Sequence, residues 1–339
     1  ALQSKQKQEQ QRIDTDNQQP IINAFTKQNG SNATISGRVT DNTKVAEVLI
    51  DGQVQKLSSN GTFKTGGSET EVTGKTLIAS GKTLDIDNTN GIFDANGEFD
   101  ATGGTVTFSA AGNLELGGTV TSLGILNDGL GGNITRGSVI YDNQAAGQAI
   151  YDAAALGTGY FNLQTNNNGQ TATAASALTV FGNLTVTTGN LTLNNIALTL
   201  GGNFVLAGGT FVPGNADHTV AGDWNETGGT TFEATAGKFT FTGDGKTITT
   251  DAAGGNKFFN LFINPGGGKT VNAGSNLDID GDFELTSGTF SPVDFNHTVA
   301  GNWSDVGGTF TAGAGTGKIT FNGGTNTTIE SKATNDFHH

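Results

Sequence analysis

Leu277-Asp278-Ile279-Asp280-Gly281-Asp282-Phe283-Glu284-Leu285 sets apolar residues at 277, 279, 283 and 285 against acidic ones at 278, 280, 282 and 284. Side chains of a strand alternate between its faces, so the pattern gives one apolar face and one acidic row, Asp278, Asp280, Asp282 and Glu284. Leu184-Thr-Val186, Leu191-Thr-Leu193 and Lys318-Ile-Thr-Phe321 alternate likewise. These short runs end in Gly-Gly or Asn-Gly corners, which tolerate positive φ. Such segments suit a coil that turns every few residues, stacked so that neighbouring coils bury a continuous apolar column. The expected fold is all-β, a right-handed parallel β-helix (β-solenoid) over residues 66–339, with Phe204, Leu206, Phe283 and Leu285 inside. The rival, one small sandwich per repeat, would need linkers that the sequence lacks. On the order of twelve coils about 4.8 Å apart would make a rod about 60 Å long.

The surrounding sequence recurs. Gly202-Asn-Phe204, Gly209-Thr-Phe211 and His218-Thr-Val-Ala-Gly-Asp-Trp224 return as Gly281-Asp-Phe283, Gly288-Thr-Phe290 and His297-Thr-Val-Ala-Gly-Asn-Trp303. The offset is 79 residues and grows to 80 between Lys238-Phe-Thr-Phe241 and Lys318-Ile-Thr-Phe321. A more diverged copy precedes both, with Tyr160-Phe-Asn-Leu163 matching Phe258-Phe-Asn-Leu261. Fixed-period self-similarity marks repeat architectures.

Phe258-Phe-Asn-Leu-Phe-Ile263, Gly268-Lys-Thr-Val271 and the run from Leu277 to Gly288-Thr-Phe290 resemble a family of bacterial surface repeats. Its pattern is aromatic-x-Asn-Leu-x-Ile, then Gly-x-Thr-Val, then an alternating strand closing on Gly-Thr-Phe. The likeness is good over about residues 155–330 and weaker over 66–155. It implies an adhesin-like secreted protein folded as a parallel β-helix, without fixing one function.

Two regions precede the repeats. Residues 1–19 are dominated by Gln, Lys and Glu and form a polar arm with little to bury. Residues 20–65 carry short alternating strands and hairpin signals at Asp41-Asn42, Asp51-Gly52 and Asn60-Gly61. Ile35, Gly37, Val39 and Asp41, then Val45, Val48, Ile50 and Gly52, then Asn60, Gly61 and Phe63 resemble the front half of a bacterial Ig-like module. The back half is missing, which implies an open edge. Pro20-Ile21-Ile22-Asn23-Ala24-Phe25 is a candidate donor strand, and Ile21, Ile22 and Phe25 are the subunit-joining candidates.

The chain has 339 residues, 53 of them Gly, with no Cys, no Met and a formal net charge of −14. Lack of Cys excludes disulfides and thiol chemistry. Lack of Met suggests a processed start at Ala1 after removal of an export signal, hence an extracellular or cell-surface location. The acidic balance and only three arginines, Arg12, Arg38 and Arg136, argue against nucleic acid. No apolar run is long enough for membrane insertion.

Candidates for chemistry are few. His218 and His297 are repeat-equivalent and read as repeated corners; His338 and His339 adjoin without further ligands. Trp224 and Trp303 are either sugar-stacking platforms or, the favoured reading, core of a wide coil. Asp85, Asp87, Asp94, Asn96 and Asp100 concentrate oxygen ligands and are the calcium candidates, although neither segment has the EF-hand order. No other cofactor is implied. The exposed carboxylates Asp278, Asp280, Asp282 and Glu284 form a row that the matching strand Phe204-Val205-Leu206 lacks, and arginine is too scarce to clamp an acidic polysaccharide, so neither a hydrolase nor a lyase is expected. Asn183-Leu-Thr185, Asn302-Trp-Ser304 and Asn326-Thr-Thr328 are sequons at a frequency near chance.

The expectation is an extracellular structural protein: the self-assembling subunit of a cell-surface filament or sheath, partnered with itself through N-terminal strand addition. The alternative is the stalk or passenger region of an adhesin that binds surfaces or glycans.

Overall fold

The computed structural model describes the side chains of residues 72–332 apart from 87–90, 128–135, 153–158, 233, 312–316 and 325–326. For parts of residues 21–71 it describes strand pairing alone. The chain forms two compact units, Ala1–Gly137 and Ser138–His339. Both are built as parallel solenoid, about 11 turns in all.

In the second unit each turn has three sides. On the first side, Leu178–Val180, Leu198–Leu200, Asp217–Val220, Lys238–Phe241, Asn260–Ile263, Phe283–Leu285, Trp303–Ser304 and Ile329–Glu330 pair in that order. On the second, Leu184–Thr192, Phe204–Leu206, Trp224–Glu226, Lys246–Thr249, Thr270–Ala273, Thr289–Ser291 and Thr309–Phe310 do the same. The third begins on the far part of Leu184–Thr192 and passes through Thr210–Val212 and Thr231–Phe232. It then crosses the bridge from Phe258 to Ile279 and reaches Asn296–Val299 and Lys318–Phe321. All these pairings are parallel.

Period-two alternation sends every second side chain inward, and Phe204, Leu206, Phe283 and Leu285 are buried as expected. The third side stacks Phe211 on Phe232 and Phe232 against Phe258, with ring centroids 5.9 and 5.1 Å apart. Each such ring contributes roughly 1.5–3 kcal/mol by leaving water. Turns therefore stabilise one another instead of folding singly.

The 79-residue repeat does not match a whole number of turns. Leu200 and Ile279 are repeat-equivalent, yet Leu200 stands on the first side and Ile279 on the third. Between them the chain passes three full turns and two further sides. Trp224 accordingly lies on the second side and Trp303 on the first. A segment can move to another side because it needs only an apolar inward face and a rung to stack on.

The nine-residue run 277–285 is not one strand. Asp278–Ile279 lies on the third side and Phe283–Leu285 on the first, with a corner between them. The acidic row expected on one face is thus broken: Asp278 and Glu284 face outward from different sides, and Asp280 and Asp282 sit at the bend. Gly281 makes the bend possible, because a Cβ there would lie 2.4 Å from Asn260 Oδ1.

An Asx ladder runs beside these corners. Asn162, Asn183, Asn203 and Asp223 each accept, through a side-chain oxygen, a backbone N–H one rung on, from Asn183, Asn203, Asp223 and Thr247. The later copy repeats this from Asn260 through Asp282 and Asn302 to Thr328. The ladder satisfies corner N–H groups that the sheets leave over.

The first unit has the same three-sided plan. Its sides are Glu69–Val72, Ile92–Ala95 and Asn113–Leu116; Thr76–Leu77, Phe99–Asp100 and Val120–Ser122; and Thr83–Ile86, Thr105–Thr107 and Ile125–Asn127. Leu84, Ile86, Phe93, Phe99, Val106 and Leu114 form its core. Ile21–Asn29 pairs antiparallel with Asn32–Thr40 and in parallel with Thr83–Ile86. Asn32–Thr40 pairs with Thr62–Lys64, and Val48–Ile50 with Gln53–Gln55. The expected polar arm lies outside the described residues, and the Ig-like reading rests on side chains that also lie outside them.

Candidate functional site

Of the calcium candidates, Asp85, Asp94 and Asp100 belong to three different strands on three sides of the coil. Asp85 accepts from the backbone N–H and hydroxyl of Ser109 at 3.1 and 2.7 Å. Asn96 donates to Asp94 at 3.0 Å. Asp100 accepts from the backbone and hydroxyl of Thr102 and pairs with Lys75 at 3.4 Å. The Thr102 bonds, first among several causes, lower its pKa. Asp87 lies outside the described residues. A cation at Asp85 or Asp100 would meet ligands already engaged by neighbouring donors.

The repeated histidines lie within strands, not at corners, and are almost wholly buried. His218 Nδ1 accepts the N–H of Leu198 at 3.2 Å, and His297 Nδ1 that of Leu277 at 3.0 Å. His297 Nε2 therefore carries the proton and donates to the Pro292 carbonyl at 3.0 Å. Burial lowers the pKa of His218 to about 4 and lowers that of His297 as well. Both side chains are neutral hydrogen-bonding parts of the core.

Trp224 and Trp303 are also core, 0% and 1% exposed, so neither indole can serve as a sugar platform. The acid two residues after each was not recognisable as part of this arrangement from the sequence. Glu226 takes the Trp224 indole N–H, the Asp251 N–H and the Asn256 amide; burial still raises its pKa. Asp305 takes the Trp303 indole N–H at 3.3 Å, Ser331 Oγ at 3.0 Å and the Lys332 N–H at 2.7 Å. Trp-x-acid was the available signal, and its meaning depends on both residues pointing inward. These carboxylates are shut away from substrate and anchor the polar end of each indole.

The features open to a partner are strand edges. In the last described turn, Thr309–Phe310, Lys318–Phe321 and Ile329–Glu330 each pair with the preceding rung, and among the described residues no strand pairs on their far side. Ile329 is 52% exposed where Trp303, one rung before it, is 1%. Phe321 is 37% exposed above Val299 at 1%. The apolar column thus reaches this rung uncovered. Of the subunit-joining candidates, Ile21 and Ile22 stand opposite Thr40 and Val39, and Phe25 opposite both Ser36 and Asp85.

No helix among the described residues is long and apolar enough to cross a membrane. The chain matches no protein-family model, no curated protein and no solved structure.

Proposed function

We propose that this chain is an extracellular structural protein, the self-assembling subunit of a cell-surface filament or sheath. The observation that carries this reading is the stack of parallel rungs, in whose last described rung Phe321 and Ile329 are exposed where their partners Val299 and Trp303 one rung earlier are buried. An edge of this kind binds whatever completes its hydrogen bonds and covers its apolar column, and a second copy offers matching parallel strands. Head-to-tail contact between identical chains is heterologous and grows a filament unless rotation closes a ring.

The N-terminal strand supplies the joining element in this proposal. Ile21–Asn29 lies on the edge of Thr83–Ile86 through two register pairs, a short contact. Identical chains can exchange such a segment with every pairing kept, because the neighbour's strand has the same sequence. The net charge of −14 makes nucleic acid an unfit partner. No calcium or other cofactor is part of this reading, and neither is catalysis.

Electron microscopy of purified protein, whole and lacking residues 1–26, tests the proposal. Filaments from the whole chain and free rods from the truncated one are expected. Monomeric rods from the whole chain at high concentration would favour the adhesin stalk. Unchanged filaments after truncation would place the joining contacts on the rod itself.

A further inference from the structure

Thr165 and Asn167 face the interior of the strand Asn162–Ala174, and both are 0% exposed. Thr165 Oγ1 and both Asn167 amide atoms have no hydrogen-bond partner. Among the described residues of the unit, nothing else concentrates three such atoms on neighbouring inward positions. Leaving buried amide and hydroxyl groups unpaired costs on the order of 1–3 kcal/mol each, so native interiors almost always satisfy them.

The neighbours leave little room for another solution. Thr165 lies between Tyr141 on the rung before and Val186 on the rung after. The Tyr141 hydroxyl is already engaged by Tyr160 and by the N–H of Tyr151. Val186 offers nothing polar. Asn167 is held inward by the turn that follows, where Asn168 and Gly169 take φ of 43° and 87°. On its far side comes Gly189, where a Cβ would lie 3.1 Å from the Asn167 Cβ.

We propose that this rung encloses a built-in hydration site, holding one or two water molecules between Thr165 Oγ1 and the Asn167 amide. Alternate residues of a strand are about 6.6 Å apart, twice the rise per residue, a gap that water can bridge once the side chains lean together. Water also fits the chemistry. The hydroxyl and the amide offer donors and acceptors but no charge, which suits neither a metal ion nor an anion. Buried waters characteristically make two to four bonds to groups of this kind. The water is thus a structural ligand of the rung, occupying the interior where the adjacent turn places a valine.

A high-resolution crystal structure of the whole chain tests the site directly. Density within hydrogen-bonding reach of both Thr165 Oγ1 and the Asn167 amide is expected. Its absence, or an Asn167 amide bonded instead to backbone, would overturn the proposal. Thermal melts of Thr165→Val give a second test with opposite signs. If water is present, the nearly isosteric valine strips it of a partner and lowers Tm by a few degrees. If the cavity is dry, valine removes an unpaired hydroxyl, and a raised Tm would sink the idea. Thr165→Ser keeps the hydroxyl and should keep the density.

Discussion

The indole of Trp224 lies 4.0 Å, centroid to centroid, from the ring of Phe204 one rung earlier, tilted by 23°. The equivalent pair, Trp303 and Phe283, repeats this at 4.1 Å and 16° on a different side of the coil. The contact therefore belongs to the repeat and not to a side. Trp224→Ala removes a buried ring, leaves a cavity and takes away one of the three donors to the Glu226 carboxylate, so a loss of about 3–5 kcal/mol is expected. Trp303→Ala should cost less, because its neighbour on the next rung, Ile329, is itself half exposed where the neighbour of Trp224, Ile248, is buried. Urea titration of both variants measures the difference, and equal losses would contradict it.

Stability should fall as acid is added below about pH 6.5. Burial holds the folded pKa of His218 at about 4, so the unfolded chain takes up the proton first. The contribution of His218 is thus whole above the unfolded value, shrinks as pH drops, and levels off below the folded one. His297 is shifted the same way and adds to the same trend. Glu226 acts in the opposite sense, since its raised pKa makes its contribution shrink as pH climbs above the ordinary carboxylate value. His218→Gln keeps an acceptor for the Leu198 N–H and should flatten the slope by up to one proton. An unchanged slope in this variant would show that folding does not depress the His218 pKa.

The Asx ladder predicts a contrast at a single position. Asp282 Oδ1 accepts both the N–H and the side-chain amide of Asn302. Asp282→Asn keeps an acceptor for the backbone N–H and should leave stability within about 0.5 kcal/mol. Asp282→Ala uncovers that N–H and should cost about 1 kcal/mol, as the loss of a helix cap does. Guanidinium midpoints for the two variants check the order.

Gly222 cannot be enlarged. A Cβ there would fall 2.0 Å from the Gly202 carbonyl oxygen, a backbone atom with nowhere to move. Gly222→Ala should force adjacent rungs apart and cost 3 kcal/mol or more, on the order of overpacking a core. Gly229 follows a few residues later with nothing within 4 Å, but its φ of 84° makes alanine a strain of only about 1 kcal/mol there. Comparing the two alanine variants by thermal melting separates steric collision from backbone strain.

Much of this architecture was legible in the sequence because alternation and glycine corners are local. Phe204, Leu206, Phe283 and Leu285 could be placed inside from their neighbours alone. Trp224 and Trp303 needed more, since their stacking partners lie a full turn away in the chain. The bend at Asp280–Asp282 was hidden because alternation reads straight through a corner that keeps the parity of the strand. The histidines looked like corner residues, being polar and next to Asp217 and Asn296, whereas their role depends on an N–H supplied by the preceding rung. Thr165 and Asn167 resembled any other polar positions in an Asn-rich run, and only the packing shows which way they face. Which columns surface at the last described rung depends on the register of its strands, which the sequence does not spell out.

The mismatch between the 79-residue repeat and the turn has a consequence for how such a chain can change. Duplicating one repeat in tandem would add three and two-thirds turns, so every loop beyond it would be re-aimed by a third of a circle. A second duplication would aim those loops at the remaining side, and a third would return them to their starting direction. The bearing of a displayed loop thus depends on copy number modulo three. Lengthening this coil by whole repeats is also a way of steering it.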